Sequence, residues 1–191
     1  MNKLALSSLV FLIAAAAIPS ADAQTNLVQN PGFETSHFTD WTVANNHPSY
    51  DTFVGSGNPH SGTWAAEFGN AGSLATVSQT LSTVIGQSYT FSFYFASDGT
   101  VPNEFRVSFG NSRLFDSTNI PASNYTLESF NVVATDAATT ITFGGRNDLG
   151  FINLDDVSVV ANVPEPSTWA MLGLGAVGAG VVALRRRRAG A

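Results

Sequence analysis

The residues with most chemistry to offer are carboxylates near the two ends of the central stretch. Glu34 closes the run Asn26-Leu-Val-Gln-Asn-Pro-Gly-Phe-Glu34, and Asp155-Asp156 sits within Asn153-Leu-Asp-Asp-Val-Ser-Val159. The first and last strands of a sandwich usually lie side by side, which would bring these acids to one edge. Carboxylates held close repel unless a cation sits between them. Calcium suits such a set, taking roughly six to eight oxygens in flexible geometry. The turn at residues 59–62, Ser61 included, supplies further oxygens. Strand alternation puts Asp155 on the face of Val157 and Val159, pointing it inward as the better ligand and sending Asp156 the other way. The competing use is plainer: Glu34 and Asp155 accept hydrogen bonds from backbone amides at the strand ends.

A second set suits recognition. If Phe91, Phe93 and Phe95 face a core, Tyr94 faces out. Arg106 and Arg146 fall in the outward phase of their own runs. A tyrosine ring stacks on sugar faces, and arginine forks grip hydroxyls and carboxylates. Trp41, Trp64 and Tyr50 are further aromatic candidates, with core filling as the alternative for both tryptophans. Catalytic signatures are missing: the chain has neither a G-x-S-x-G elbow nor an H-E-x-x-H helix. His37, His47 and His60 lie far apart in loop-like sequence and read as solvated. Adjacent strand residues face opposite sides, so Asp155 and Asp156 cannot flank one glycosidic bond. The reading is therefore non-enzymatic.

The elements that must position these residues have a period of two. Tyr89–Phe95 and Phe105–Phe109 alternate apolar and polar residues. Similar runs span residues 50–54, 64–68, 75–81, 125–133, 139–143 and 151–160, each bounded by Gly, Pro, Asn, Asp or Ser. About nine strands and no helix point to an all-β, antiparallel sandwich of jelly-roll type over residues 24–162. This middle carries three arginines, no lysine and twelve carboxylates. So acidic a surface repels phosphate backbones and argues against nucleic acid as a partner. With no cysteine in the chain, disulfides and thiol chemistry are excluded.

Both ends read as addresses. Lys3, the apolar Leu4–Ile18 stretch, Pro19 and Ala21-Asp22-Ala23 form a signal peptide over residues 1–23. At the other end, residues 163–191 hold Pro164-Glu165-Pro166, an uncharged run from Trp169 to Leu184, and Arg185, Arg186, Arg187 and Arg188. The two prolines make a stiff spacer. The sixteen-residue run covers about 24 Å as a helix, slightly short of a bilayer core, and the arginines lock its far end in the cytoplasm. Gly173-Leu-Gly175-Ala-Val-Gly178 matches a dinucleotide fingerprint in letters only, because no βαβ unit follows it.

Two resemblances follow from these motifs. The opening N-x-G-F-E-type run, Asp40-Trp41, His60-Ser-Gly-Thr-Trp-Ala-Ala66 and the closing D-D-V strand resemble galactose-binding-domain-like jelly rolls, which include carbohydrate-binding modules. The resemblance implies a structural calcium near the paired ends. The tail resembles the PEP-CTERM sorting signal of Gram-negative bacteria that make exopolysaccharide. That implies an exosortase as processing partner, a transient stay in the inner membrane, and cleavage near Pro-Glu-Pro. The expectation is an exported cell-surface or matrix protein that binds or organises exopolysaccharide. The alternatives are a structural coat without a sugar site and, as a third, a secreted hydrolase.

Overall fold

The computed structural model describes residues 24–45 and 52–162, which fall within one compact unit, Gln24–Asn162. The expected signal peptide and sorting tail, with Pro164 to Pro166 and the four arginines, lie outside the described residues, as do His47 and Tyr50. Ten strands are present among the described residues: β1 Thr42–Ala44, β2 Thr52–Gly55, β3 Ala65–Phe68, β4 Ala75–Ser82, β5 Ser88–Ser97, β6 Asn103–Phe109, β7 Ser112–Thr118, β8 Ser123–Val133, β9 Ala138–Asn147 and β10 Ile152–Ala161. They form two antiparallel five-stranded sheets, β1-β4-β9-β6-β7 and β2-β3-β10-β5-β8. The all-β expectation holds, and the described residues contain no helix.

The core lies between the sheets, where alternation sends every second side chain. Phe91 and Phe93 from one sheet meet Phe105 and Phe143 from the other, all fully buried. Phe93 stands edge-on to Phe143 at 5.2 Å, and Phe95 stacks on Phe105 at 5.4 Å. Aromatic pairs in such geometry add stability beyond the area they bury.

Three departures from the sequence reading bear on function. The segment Asn26–Glu34 is not a regular strand. It nonetheless rides along β10: Leu27 N–H donates to Val159 O (2.9 Å), and Val157 N–H donates to Pro31 O (3.0 Å). The Asn26 side chain staples it, donating to Val157 O and accepting from Val159 N–H. Second, β10 carries a bulge at Asp156, which takes a left-handed φ of 48°. That extra residue lets Ile152 and Leu154 and also Val157 and Val159 face the core. Asp155 therefore pairs with Tyr94 on the outer face and does not point inward. Third, β1 and β7 were not foreseen, β1 because it is only three residues long.

Candidate functional site

The paired ends do bring the expected acids together, through amides. The loop at residues 55–62 folds over the outer face of the β2-β3-β10-β5-β8 sheet. Asp155 Oδ2 accepts the backbone N–H of His60 (2.8 Å) and of Ser61 (3.1 Å), and its Oδ1 accepts that of Asp156 (2.7 Å). Glu34 accepts the N–H groups of Thr63 and Trp64 at 3.0 Å. Asp156 takes the Ser61 hydroxyl at 2.8 Å and pairs with His60 Nδ1 at 2.6 Å. Gly62, at φ 61°, has no room for a side chain, because a Cβ there would run into the Glu34 carboxylate. Burial pushes the Asp155 carboxyl above the usual carboxylate range against the pull of its amide donors.

In this arrangement the oxygens of Glu34 and Asp155 are engaged by backbone N–H groups. Among the described residues no group of three His, Asp or Glu side chains is arranged to hold a metal ion. Glu34, Ser61, Asp155 and Asp156 form a polar clasp that pins the loop.

The ligand candidates separate. Tyr94 does face outward, but His60 is not a free loop histidine: its ring stacks on Tyr94 at 3.7 Å and stands edge-on to Tyr125 at 5.1 Å. The Tyr125 hydroxyl, whose pKa is pushed up by burial and by the carboxylates of Asp155, Glu67 and Asp156, donates to Asn58 O at 2.6 Å. The loop thus covers Tyr94. Trp41 is a core residue, 7% exposed, packed between Phe33 and Phe143 with its indole N–H on Asn30 O. Trp41 therefore fills the core and is no ligand contact. Trp64 is half-buried.

Arg106 and Arg146 lie on the outer face of the opposite sheet, so they share no site with Tyr94. Arg146 grips Asp148 in a fork, Nε–Oδ1 at 2.6 Å and Nη2–Oδ2 at 2.7 Å, which holds the Asp148 carboxyl down to about 2. Arg106 pairs with Glu104 and Asp116, and Arg113 reaches Asp116 at 2.7 Å. Three arginines thus face three carboxylates, and the face is charge-balanced. Opposite Arg106 on β9 stands Gly144. The missing side chain opens a notch of about 180 Å³, walled by Arg106, Arg113, Thr76, Ser108 and Thr142. Sequence reasoning missed Arg113 and Gly144, although Gly144 does interrupt the apolar–polar alternation of β9. A larger cavity of about 470 Å³ runs between the opening segment and β4. Its lining includes Gln29 and Gln79, where the Gln79 side-chain amide accepts from Gln29 N–H at 2.8 Å and donates to Gln29 O at 3.0 Å.

With the geometry in place, known proteins give two results. No curated protein matches the chain. Among solved structures the fold resembles TmCBM61 in complex with β-1,4-galactotriose, at 20% identity and TM-score 0.57, covering 72% of this chain and 99% of that one. It also resembles the CBM22-1 xylan-binding domain of Paenibacillus barcinonensis Xyn10C, at 13% identity and TM-score 0.52, covering 74% and 97%. A third is the Clostridium thermocellum Xyn10B CBM22-1–GH10 pair complexed with xylohexaose, at 15% identity and TM-score 0.56, covering 74% of this chain and 29% of that one. At these identities the likeness concerns the fold. Residues 162–188 match the PEP-CTERM protein-sorting motif. The chain is therefore an exported protein bearing a PEP-CTERM sorting signal behind a jelly roll of the kind found in carbohydrate-binding modules.

Proposed function

We propose that this protein is an exosortase-processed surface or matrix protein, non-catalytic, whose sandwich holds a neutral exopolysaccharide across the β1-β4-β9-β6-β7 face. The observation that carries this reading is the notch at Gly144. It lies on the sheet face that the 55–62 loop leaves open, and hydroxyls and arginines surround it. Arginine forks and threonine hydroxyls exchange hydrogen bonds with sugar hydroxyls. The arginines already have carboxylate partners, so a neutral glycan suits the face better than a polyanion.

The described outer face of this sheet presents no aromatic ring on which a sugar could stack. Binding should accordingly be weak, with Kd on the order of a millimolar. That same feature favours the second reading, a coat protein that self-associates without a glycan.

Gly144→Leu separates the two. A Cβ at Gly144 meets nothing closer than 3.8 Å, so the fold accepts a side chain that fills the notch. Affinity electrophoresis through neutral polysaccharides should show at least about a tenfold loss of retention, equivalent to about 1.4 kcal/mol, with the melting temperature unchanged. Equal retention of both chains would remove the notch from the reading. The sorting half has its own test. Mass spectrometry of the protein recovered from the cell surface should find a new C-terminus near Pro164-Glu165-Pro166, with Arg185 to Arg188 gone. An intact C-terminus on the surface protein would leave a simple anchor instead.

A further inference from the structure

Three large exposed aliphatic side chains sit together at the end of the sandwich from which the sorting motif leaves, while Val101, Leu149 and Phe151 are exposed at the other end. Val84 and Ile85 are 66% and 67% exposed in the β4–β5 turn, and Val133, at the end of β8, is 58% exposed. The turn is held firmly. Gln87 N–H closes it onto Val84 O at 3.0 Å, and Gly86 takes the positive φ of 79° that the bend requires. Gly86 N–H donates to Ala134 O at 2.8 Å and Ala134 N–H donates to Gln87 O at 3.1 Å, which ties the turn to the residue after β8. The same turn clasps Asn162, the first residue of the sorting motif. Asn162 N–H donates to Ser88 O at 2.8 Å, the Gln87 amide donates to Asn162 O at 2.9 Å, and the Asn162 side chain bonds Ser88 and Thr90.

We infer that this apolar tip seats the sandwich end-on in the lipid interface while the tail is attached. The inference rests on the reading that the uncharged Trp169–Leu184 run enters the membrane. From Asn162 to Trp169 is seven residues, at most about 25 Å of extended chain. The clasp thus keeps Val84, Ile85 and Val133 within that reach of the bilayer. Neither residues 82–90 nor 130–137 hold a lysine or arginine, and Asp136 is their one charge. The attraction is therefore hydrophobic and needs no anionic lipid. Each aliphatic side chain moved out of water shifts such a partition by roughly tenfold.

The chain contains no cysteine, so single labels are clean. The full chain carrying Ile85→Cys is labelled with nitrobenzoxadiazole and reconstituted with phosphatidylcholine vesicles containing doxyl lipid. Leu149→Cys, 79% exposed at the other end of β9 and β10, is the control. The Ile85 label should shift to the blue and be quenched, and the Leu149 label should do neither. Adding Val84→Asp should weaken the quenching by about tenfold. Vesicles that float with the chain while the Ile85 label stays unquenched overturn the tip and leave tail anchoring intact. A chain that does not float overturns both. A blue shift that depends on protein concentration without vesicles overturns the tip in favour of a second copy.

Discussion

Gly145→Ala should lower the melting temperature by roughly 10 °C or more, while Gly144→Ala, one residue away, should leave it nearly unchanged. The two glycines face opposite sides of β9. A Cβ at Gly145 would run into the Cβ, Cγ and Cδ1 of Phe68, which is fully buried. Phe68 cannot step aside, because its ring stands edge-on to Phe105 at 5.7 Å and Phe105 packs on Phe93, Phe95 and Phe143. Overpacking a core at this density costs about 3 kcal/mol, a large part of a typical domain's stability. At Gly144 the nearest atoms to a Cβ are Arg106 Cβ and Leu74 Cδ2 at 3.8 Å, an ordinary contact. Alanine there keeps strand geometry and loses no interaction, so a change within about 0.5 kcal/mol is expected. Thermal melts followed by circular dichroism check the pair. Equal melting temperatures would mean that the sheets sit farther apart at Phe68 than the packing described here.

The alternation that marks β5 and β6 was legible because one face is apolar throughout, and it placed Phe91, Phe93 and Phe95 inward and Tyr94 and Arg106 outward. The phase of β10 is legible too. Its apolar residues fall at even positions, Ile152 and Leu154, and then at odd ones, Val157 and Val159. Only a one-residue slip between them can bury all four, and Asp156 is that residue. The strand β7 hid for the same reason: the β6–β7 register shifts between Val107 and Ser108, and Leu114 and Phe115 stand together. What local pattern cannot show is which outward face a neighbour covers. His60 lies 34 positions before Tyr94, and nothing in either segment states that one ring rests on the other. Nor does alternation say that Tyr94 and Arg106 belong to different sheets, since strand pairing is decided across the whole chain.

Asp155→Ala should cost about 3 kcal/mol and free the 55–62 loop from the sheet. The carboxylate is fully buried and accepts three backbone N–H bonds, so its removal leaves three donors without their partner. Loss of the loop should unstack His60 from Tyr94, which near-ultraviolet circular dichroism reads directly. The pH dependence has a definite sign. The folded carboxyl titrates above its ordinary value, burial being the main cause and the Asp156 charge adding to it. Its contribution is therefore fully present below about pH 4 and is lost as pH rises through the folded value. Asp155→Asn should lack that dependence. It should still be destabilised, because its amide can offer only one oxygen to three donors. Calcium distinguishes a clasp from a metal site. With N–H groups on Glu34 and Asp155, the unmodified chain should melt at the same temperature in calcium and in chelator. A calcium-dependent rise that disappears in Asp155→Ala would show instead that the ion displaces those amides and joins the two ends of the sandwich itself.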